Sequence, residues 1–133
     1  MASLYEYKMK VRDYECDAQG IVNNANYQHY YEVARHEFLE EHGLNFYELH
    51  KEGIDAVVVS ICIHYKHSLQ GANDFIVTVD KIEKEGIRYI FHQKIIRLKD
   101  GKTCSTAKVE TACLYNGRVS KPDIFDKAFA KYL

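Results

Sequence analysis

The sequence has one proline, no tryptophan and no long apolar run among its 133 residues. The scarcity of proline excludes collagen-like and proline-rich sequences. No segment approaches the roughly 18 consecutive apolar residues of a membrane-spanning helix. The first eight residues carry charge too early for the apolar stretch of a signal peptide. We therefore expect one soluble, cytoplasmic domain over residues 1–133, with no membrane partner.

An excess of basic charge is also missing. The chain has 18 lysine and arginine residues against 19 aspartate and glutamate residues, a formal net charge of −1. Nucleic-acid binding draws most of its affinity from the neutralisation of phosphates, which requires a basic surplus. We expect no nucleic-acid partner, although the count leaves room for a local basic patch.

The residues that bind metals lack the spacing of a metal site. The four cysteines form no CxxC pair and the seven histidines form no HExxH motif. His64 and His67 are three residues apart in a strand-like segment, which places them on opposite faces. We predict no metal, no cofactor and four free thiols, at Cys16, Cys62, Cys104 and Cys113.

Apolar periodicity predicts a long helix after a first strand over residues 4–12. From Ala25 to His42 the apolar positions follow a helical period, with Asn23 or Asn24 as N-cap and Gly43 as the stop. A shorter helix begins after Asn45 and ends near residue 53. The stripe of the long helix consists of Tyr27, Tyr31, Ala34, Phe38 and His42, broadened by Tyr30 and Val33.

The rest of the chain follows a period of two and predicts four strands, over residues 57–65, 75–79, 89–95 and 103–115. Asp100-Gly101 and Asn116-Gly117 are typical turn pairs. Pro122 suits the first position of a terminal helix. One apolar helix and a mostly antiparallel five-stranded sheet must cover each other, which predicts the α+β class. Its sheet edges need protection, which a second subunit can supply.

The segment between the first strand and the long helix carries the chemistry. It contains the carboxylate of Asp17, then Gly20, and then Asn23 and Asn24 at the predicted helix start, where backbone N–H groups lack helical partners. A carboxylate activates water or attacks directly, and helix N–H groups bind a developing oxyanion. This is one arrangement for the hydrolysis of an activated acyl group.

The same segment resembles the signature of a known family. Residues 17–27 read Asp-Ala-Gln-Gly-Ile-Val-Asn-Asn-Ala-Asn-Tyr, and residues 32–35 read Glu-Val-Ala-Arg. This is similar to hotdog-fold acyl-CoA thioesterases of the 4-hydroxybenzoyl-CoA thioesterase type, in the Val-Asn-Asn branch that acts on aliphatic acyl thioesters. The resemblance implies a long central helix wrapped by a curved five-stranded sheet, and hydrolysis of an acyl-CoA or acyl-carrier-protein thioester.

The resemblance also implies a role for each matching residue. Asp17 becomes the catalytic carboxylate, as general base or as nucleophile, and Asn24 supplies the backbone N–H that polarises the thioester carbonyl. Gly20 lets the loop approach the substrate, while Asn23 and Tyr27 shape the wall of the site. The family's site lies between two subunits, which implies a homodimer or a tetramer made of two dimers.

Two other functions are compatible with the segment. A hydratase or dehydratase of this fold is expected to have a histidine five residues after the aspartate, where this chain has Val22. A non-catalytic acyl-CoA binding protein need not keep a partly desolvated carboxylate such as Asp17.

Two further expectations concern neighbouring segments. Residues 66–69 depart from the family's Arg-x-Pro-like stretch, so no residue is assigned to the nucleotide, and Glu32 and Arg35 are predicted to form an ion pair on one helix face.

Overall fold

The computed structural model describes residues 3–120 and 123–133, which form seven strands, three α-helices and two short 3-10 helices. The prediction that a helix starts at Pro122 lies outside the described residues. None of the helices within the described ranges is long and apolar enough to cross a membrane. In chain order the elements are β1 (Tyr5–Lys10), α1 (Asn24–Glu41), α2 (Phe46–Lys51), β2 (Ile54–Tyr65), β3 (Asp74–Val79), β4 (Lys81–Glu85), β5 (Arg88–Arg97), β6 (Thr103–Tyr115), β7 (Arg118–Ser120) and α3 (Asp123–Phe129).

The described strands form one antiparallel sheet, which confirms the predicted α+β class. Its main path runs β1-β3-β5-β6-β2, while β4 pairs with β5 and β7 pairs with β6. The predicted number of five strands is wrong, because β4 and β7 were missed. Strand β4 has Ile82 as its one apolar residue among four charged ones, and β7 has three residues. Neither is long or apolar enough to produce a visible alternation.

Helix α1 packs on the sheet through the predicted aromatic stripe. The ring of Tyr30 lies 4.8 Å from the ring of Phe75 in β3, and the ring of Phe38 lies 5.6 Å from that of Tyr5 in β1. The hydroxyl of Tyr31 reaches further and donates a 2.7 Å hydrogen bond to Ser105 Oγ in β6. These contacts fix α1 across β1, β3 and β6.

The ends of α1 are set by local signals in the chain. The Asn23 side chain accepts a 3.0 Å hydrogen bond from the Ala25 N–H, which confirms Asn23 as the N-cap. Gly43 has a φ of +77°, the left-handed conformation that ends helices. Asn45 caps α2 in the same way, since its side chain accepts a 3.1 Å bond from the Glu48 N–H.

Strand β2 is an edge strand whose alternation is interrupted. Its pairing register with β6 shifts between Val58 and Ser60. Such a bulge inserts an extra residue and reverses the face on which later side chains lie. The period of two in the sequence predicts that residues 57, 59, 61, 63 and 65 share one face of the strand, and the bulge shows that this prediction is wrong. Ile61 and Ile63 pack against the core, whereas residues 57–59, all valine, are 40%, 46% and 45% exposed.

Candidate active site

The predicted catalytic segment folds into a tight turn before α1. Cys16 and Val22 form an isolated antiparallel bridge that closes it. Inside the bridge, the Asp17 N–H donates a 2.9 Å hydrogen bond to the Ile21 carbonyl, and the Gly20 N–H donates a 3.0 Å bond to the Asp17 carbonyl. Gly20 has a φ of +78°, which glycine adopts without steric cost. We call residues 16–22 the Asp17 turn.

Asp17 is the first residue of this turn after the bridge, and its side chain is exposed. One carboxylate oxygen, Oδ1, accepts a 2.8 Å hydrogen bond from the Gln19 N–H. The expectation of a partly desolvated carboxylate is wrong for the single chain, because no described element covers the Asp17 side chain. The carboxylate is accessible to water and to a substrate, as a general base or a nucleophile must be.

The start of α1 presents a free donor next to the Asp17 turn. The Asn24 N–H has no acceptor within the described part of the chain, because a cap oxygen reaches the second or third residue of a helix and here accepts from Ala25. The positive end of the helix dipole lies at the same place. Together they form a site that favours a developing negative charge. The carbonyl of Asn24 points to β2, where it accepts a 3.4 Å bond from the Tyr65 hydroxyl.

A small cavity of about 130 Å³ opens at this helix start. Asn24 and Tyr27 line it, whereas Asp17, Gly20 and Asn23 do not. The Tyr27 ring stands edge-on to the Tyr65 ring with centroids 5.1 Å apart. Burial raises the pKa of Tyr27, so its hydroxyl is neutral. The remaining wall consists of Ile21, Val22, Tyr65, Lys66, His67 and Ser68.

Glu15 anchors the entry to α1, and the sequence pattern did not reveal it. It is 6% exposed, and its Oε1 accepts hydrogen bonds of 2.8 Å from the Arg12 N–H and 2.9 Å from the Tyr30 hydroxyl. Its backbone carbonyl accepts 2.9 Å bonds from the Asn23 N–H and from Asn26 Nδ2. A glutamate in a charged loop is normally exposed, so no local signal distinguished it.

The predicted ion pair between Glu32 and Arg35 is wrong. Arg35 is 5% exposed, and its Nη1 donates a 3.0 Å hydrogen bond to Gln93 Oε1 in β5. Glu32 Oε1 instead lies 3.8 Å from His36 Nε2, on the exposed side of α1. The three-residue spacing was correct for a pair, but the sheet buries only one of its two members.

Residues 11–133 match the family described as the thioesterase-like superfamily. The chain belongs to this superfamily. It is 32% identical over 108 residues to the chloroplastic acyl-acyl carrier protein thioesterase ATL3 of Arabidopsis thaliana, which covers 81% of this chain and 57% of that relative. The chain thus spans little more than half the length of that relative.

Two further likenesses cover nearly the whole chain. It is 29% identical over 126 residues to the acyl-CoA thioesterase YbgC of Haemophilus influenzae, covering 92% of this chain and 89% of that one. A Staphylococcus aureus protein determined in complex with CoA superposes with a TM-score of 0.88 at 20% identity, covering 99% and 85% of the two chains. The latter likeness supports the expected hotdog fold.

Proposed function

We propose that this protein hydrolyses acyl thioesters to a free acid and a thiol. The observation that carries the proposal is the juxtaposition along the chain of an exposed carboxylate on the Asp17 turn and the unused Asn24 N–H at the start of α1. Membership of the thioesterase-like superfamily and relatives named as thioesterases support it. The resemblance to the 4-hydroxybenzoyl-CoA thioesterase type supports the same chemistry.

In the proposed reaction the thioester carbonyl oxygen accepts a hydrogen bond from the Asn24 N–H. The donor and the helix dipole stabilise the negative charge that this oxygen acquires. Asp17 takes a proton from the attacking water, or attacks the carbonyl itself to form an anhydride that water then cleaves. In both routes the C–S bond breaks and the sulfur leaves as a thiolate. In the first route Asp17 then returns to the thiolate the proton that it took from water. In the second route water protonates the thiolate, and the water that cleaves the anhydride releases the free acid and restores the Asp17 carboxylate. Gly20 and Asn23 hold the turn and the helix start, and Tyr27 forms the wall.

We propose that the functional unit is a homodimer or a tetramer made of two dimers. Asp17 is exposed in the single chain, and a second subunit would remove water from it and supply the missing wall. Strand β2 offers twelve residues of sheet edge with exposed valines, which favours pairing with another copy. The intersubunit site implied by the family resemblance supports this assembly.

We assign the substrate to aliphatic acyl-CoA or acyl-carrier-protein thioesters, as the Val-Asn-Asn segment suggests. One relative is named an acyl-CoA thioesterase and another an acyl-acyl carrier protein thioesterase, so both carriers are to be tested. The alternatives are a hydratase of acyl thioesters and a non-catalytic acyl-CoA binding protein. Val22 occupies the position where a hydratase is expected to have histidine.

The test is thiol release, followed with DTNB, from straight-chain acyl-CoAs, aromatic acyl-CoAs and acyl-carrier proteins. Release that is highest with aliphatic chains and survives EDTA treatment is the expected result. Consumption of enoyl-CoA without thiol release would indicate a hydratase. Tight binding of acyl-CoA without any turnover would indicate a binding protein. The Asp17→Asn variant, measured in parallel, assigns the release to this site.

A further inference from the structure

A second cavity, of about 290 Å³, lies between α1 and the sheet, away from the Asp17 turn. An engineered apolar cavity of about 150 Å³ holds one benzene molecule, so this one has room for about a dozen heavy atoms. Its wall is rich in apolar and aromatic side chains, among them Leu39, Phe46, Phe91, Phe125 and Phe129. We call it the Arg35 cavity, after the one buried cation in its wall.

Arg35 brings a positive charge into this apolar space. Its Nη1 donates a 3.0 Å hydrogen bond to Gln93 Oε1, and Gln93 in turn donates a 3.2 Å bond to the Tyr31 carbonyl. The guanidinium partner is therefore a neutral amide. No carboxylate oxygen among the described side chains lies within 4.0 Å of Arg35. Burial lowers the pKa of Arg35 to about 10, which leaves the guanidinium charged at neutral pH.

The acidic residue of the Arg35 cavity attracts this charge only from a distance and makes no ion pair with it within 4.0 Å. Glu32 lies at the exposed side of the cavity, where its side chain is 51% exposed and 3.8 Å from His36 Nε2. A buried charge without a counter-charge is costly. A guanidinium offers parallel N–H groups that match the two oxygens of a carboxylate. The cavity thus combines an apolar wall with a receptor for a carboxylate.

We propose that the Arg35 cavity binds a medium-chain aliphatic carboxylate, with the carboxylate on Arg35 and the chain against the aromatic wall. The inference deepens the proposed function and rests on it, because thioester hydrolysis releases this class of molecule as the free acid. The same chemistry is present at the far end of an ω-carboxyacyl substrate. The carboxylate thus has two possible sources, the released acid and the ω-carboxyacyl substrate. Each would place one carboxylate and about ten carbons in the Arg35 cavity.

The first experiment measures binding of decanoate and of decanol by calorimetry at pH 7. Decanoate is expected to bind the wild type about 10- to 100-fold more tightly than decanol, the range of a charge-assisted hydrogen bond. Arg35→Gln should remove this difference, while Arg88→Gln, which changes an exposed arginine of β5, should keep it. The Asp17→Asn variant should still bind decanoate, so failure of the proposed catalysis does not affect this result.

The second experiment separates the two sources. A kcat/KM at least tenfold higher for ω-carboxydecanoyl-CoA than for decanoyl-CoA, lost in Arg35→Gln, would assign the carboxylate to the substrate. Inhibition by added decanoate without that preference would assign it to the released acid. Equal binding of decanoate and decanol to the wild type would overturn the proposal, and this comparison needs no variant to fold. Equal decanoate affinity of wild type and Arg35→Gln would also overturn it.

Discussion

The hydroxyl of Tyr30 donates a 2.9 Å hydrogen bond to Oε1 of Glu15, and both residues are buried. This bond joins the second turn of α1 to the chain that precedes the Asp17 turn. The backbone carbonyl of Glu15 also holds Asn23 and Asn26, so one residue orients the entry to the helix. The position of Asp17 relative to the helix start therefore depends on Glu15, although Glu15 has no step in the proposed reaction.

Removing that bond should destabilise the protein. In Tyr30→Phe the ring stays in place while buried Glu15 loses a donor, so the free energy of unfolding should fall by about 1 to 3 kcal/mol. Urea unfolding measures it. Tyr47→Phe is the matched control, because Tyr47 is 69% exposed, and it should change stability by less than about 0.5 kcal/mol. Equal stability of both variants would show that the bond contributes nothing.

Asp17→Asn should abolish most of the activity without unfolding the protein. The amide keeps the size of the side chain but cannot take a proton or attack a carbonyl, so kcat should fall by about 10²- to 10⁴-fold. This corresponds to about 3 to 5 kcal/mol of activation free energy. KM and the melting temperature should change little, because the side chain is exposed. Asp13→Asn, four residues earlier, is the control, and a kcat for Asp17→Asn within threefold of wild type would end the assignment.

The role of the Asn24 N–H can be tested apart from its side chain. Proline is tolerated at the first helical position, and Asn23 already has the extended conformation that a following proline requires, with φ −63° and ψ 138°. Asn24→Pro therefore removes the donor and keeps the helix. We expect kcat to fall by about 10²- to 10³-fold, as for loss of one oxyanion donor.

The control for this variant is Asn24→Ala, which retains the N–H and should retain most of kcat. Circular dichroism and thermal unfolding check that both variants keep the helix. If Asn24→Pro turned over substrate as fast as Asn24→Ala, the donor would lie elsewhere in the site.

We predict that the subunits associate through the exposed edge of β2. We expect light scattering to give a dimer or a larger oligomer at micromolar concentration. Val59→Lys places a charge on this edge and should shift the protein toward monomers. Val119→Lys changes a valine of β7 that is 57% exposed and should leave the mass unchanged. A wild-type protein that is entirely monomeric, with a mass of 15.5 kDa, would contradict the assembly.

Asp100 should contribute stability that is lost in acid. The Arg97 side chain, bonded to it at 2.7 Å, lowers the pKa of Asp100 to about 2. Because this folded-state pKa lies below the unfolded value of about 3.9, the contribution is complete above pH 4 and is lost as the pH falls toward 2. The urea midpoints of wild type and Asp100→Asn should therefore differ at pH 6 and converge by pH 2.

The control for this series is Asp74→Asn, since Asp74 makes no ion pair within the described residues. The difference in urea midpoint between Asp74→Asn and wild type should not disappear in the same way as the pH falls to 2. Arg97 also donates a 2.7 Å bond to the Ser68 carbonyl in the wall of the small cavity. A difference between the two midpoints that stays constant from pH 6 to pH 2 would show that the pKa of Asp100 is not lowered in the folded protein.

Local features of the fold were predictable from the sequence because their causes are local. The caps Asn23 and Asn45 and the stop at Gly43 act within one turn of helix, and each lies where it was predicted. The Asp100-Gly101 hairpin follows equally local turn chemistry. The segment from Asp17 to Tyr27 was recognisable because its residues are contiguous.

Only the tertiary structure decided which polar side chains are buried and where the sheet changes its pattern. Glu15 and Arg35 are buried because α1 packs across the sheet, which brings Tyr30 and Gln93 to them from distant parts of the chain. The bulge after Val58 depends on the pairing of β2 with β6. Such long-range contacts do not change the apolar periodicity of the sequence. A charged residue in a loop or helix therefore gives the same local pattern whether it is exposed to water or buried with a partner.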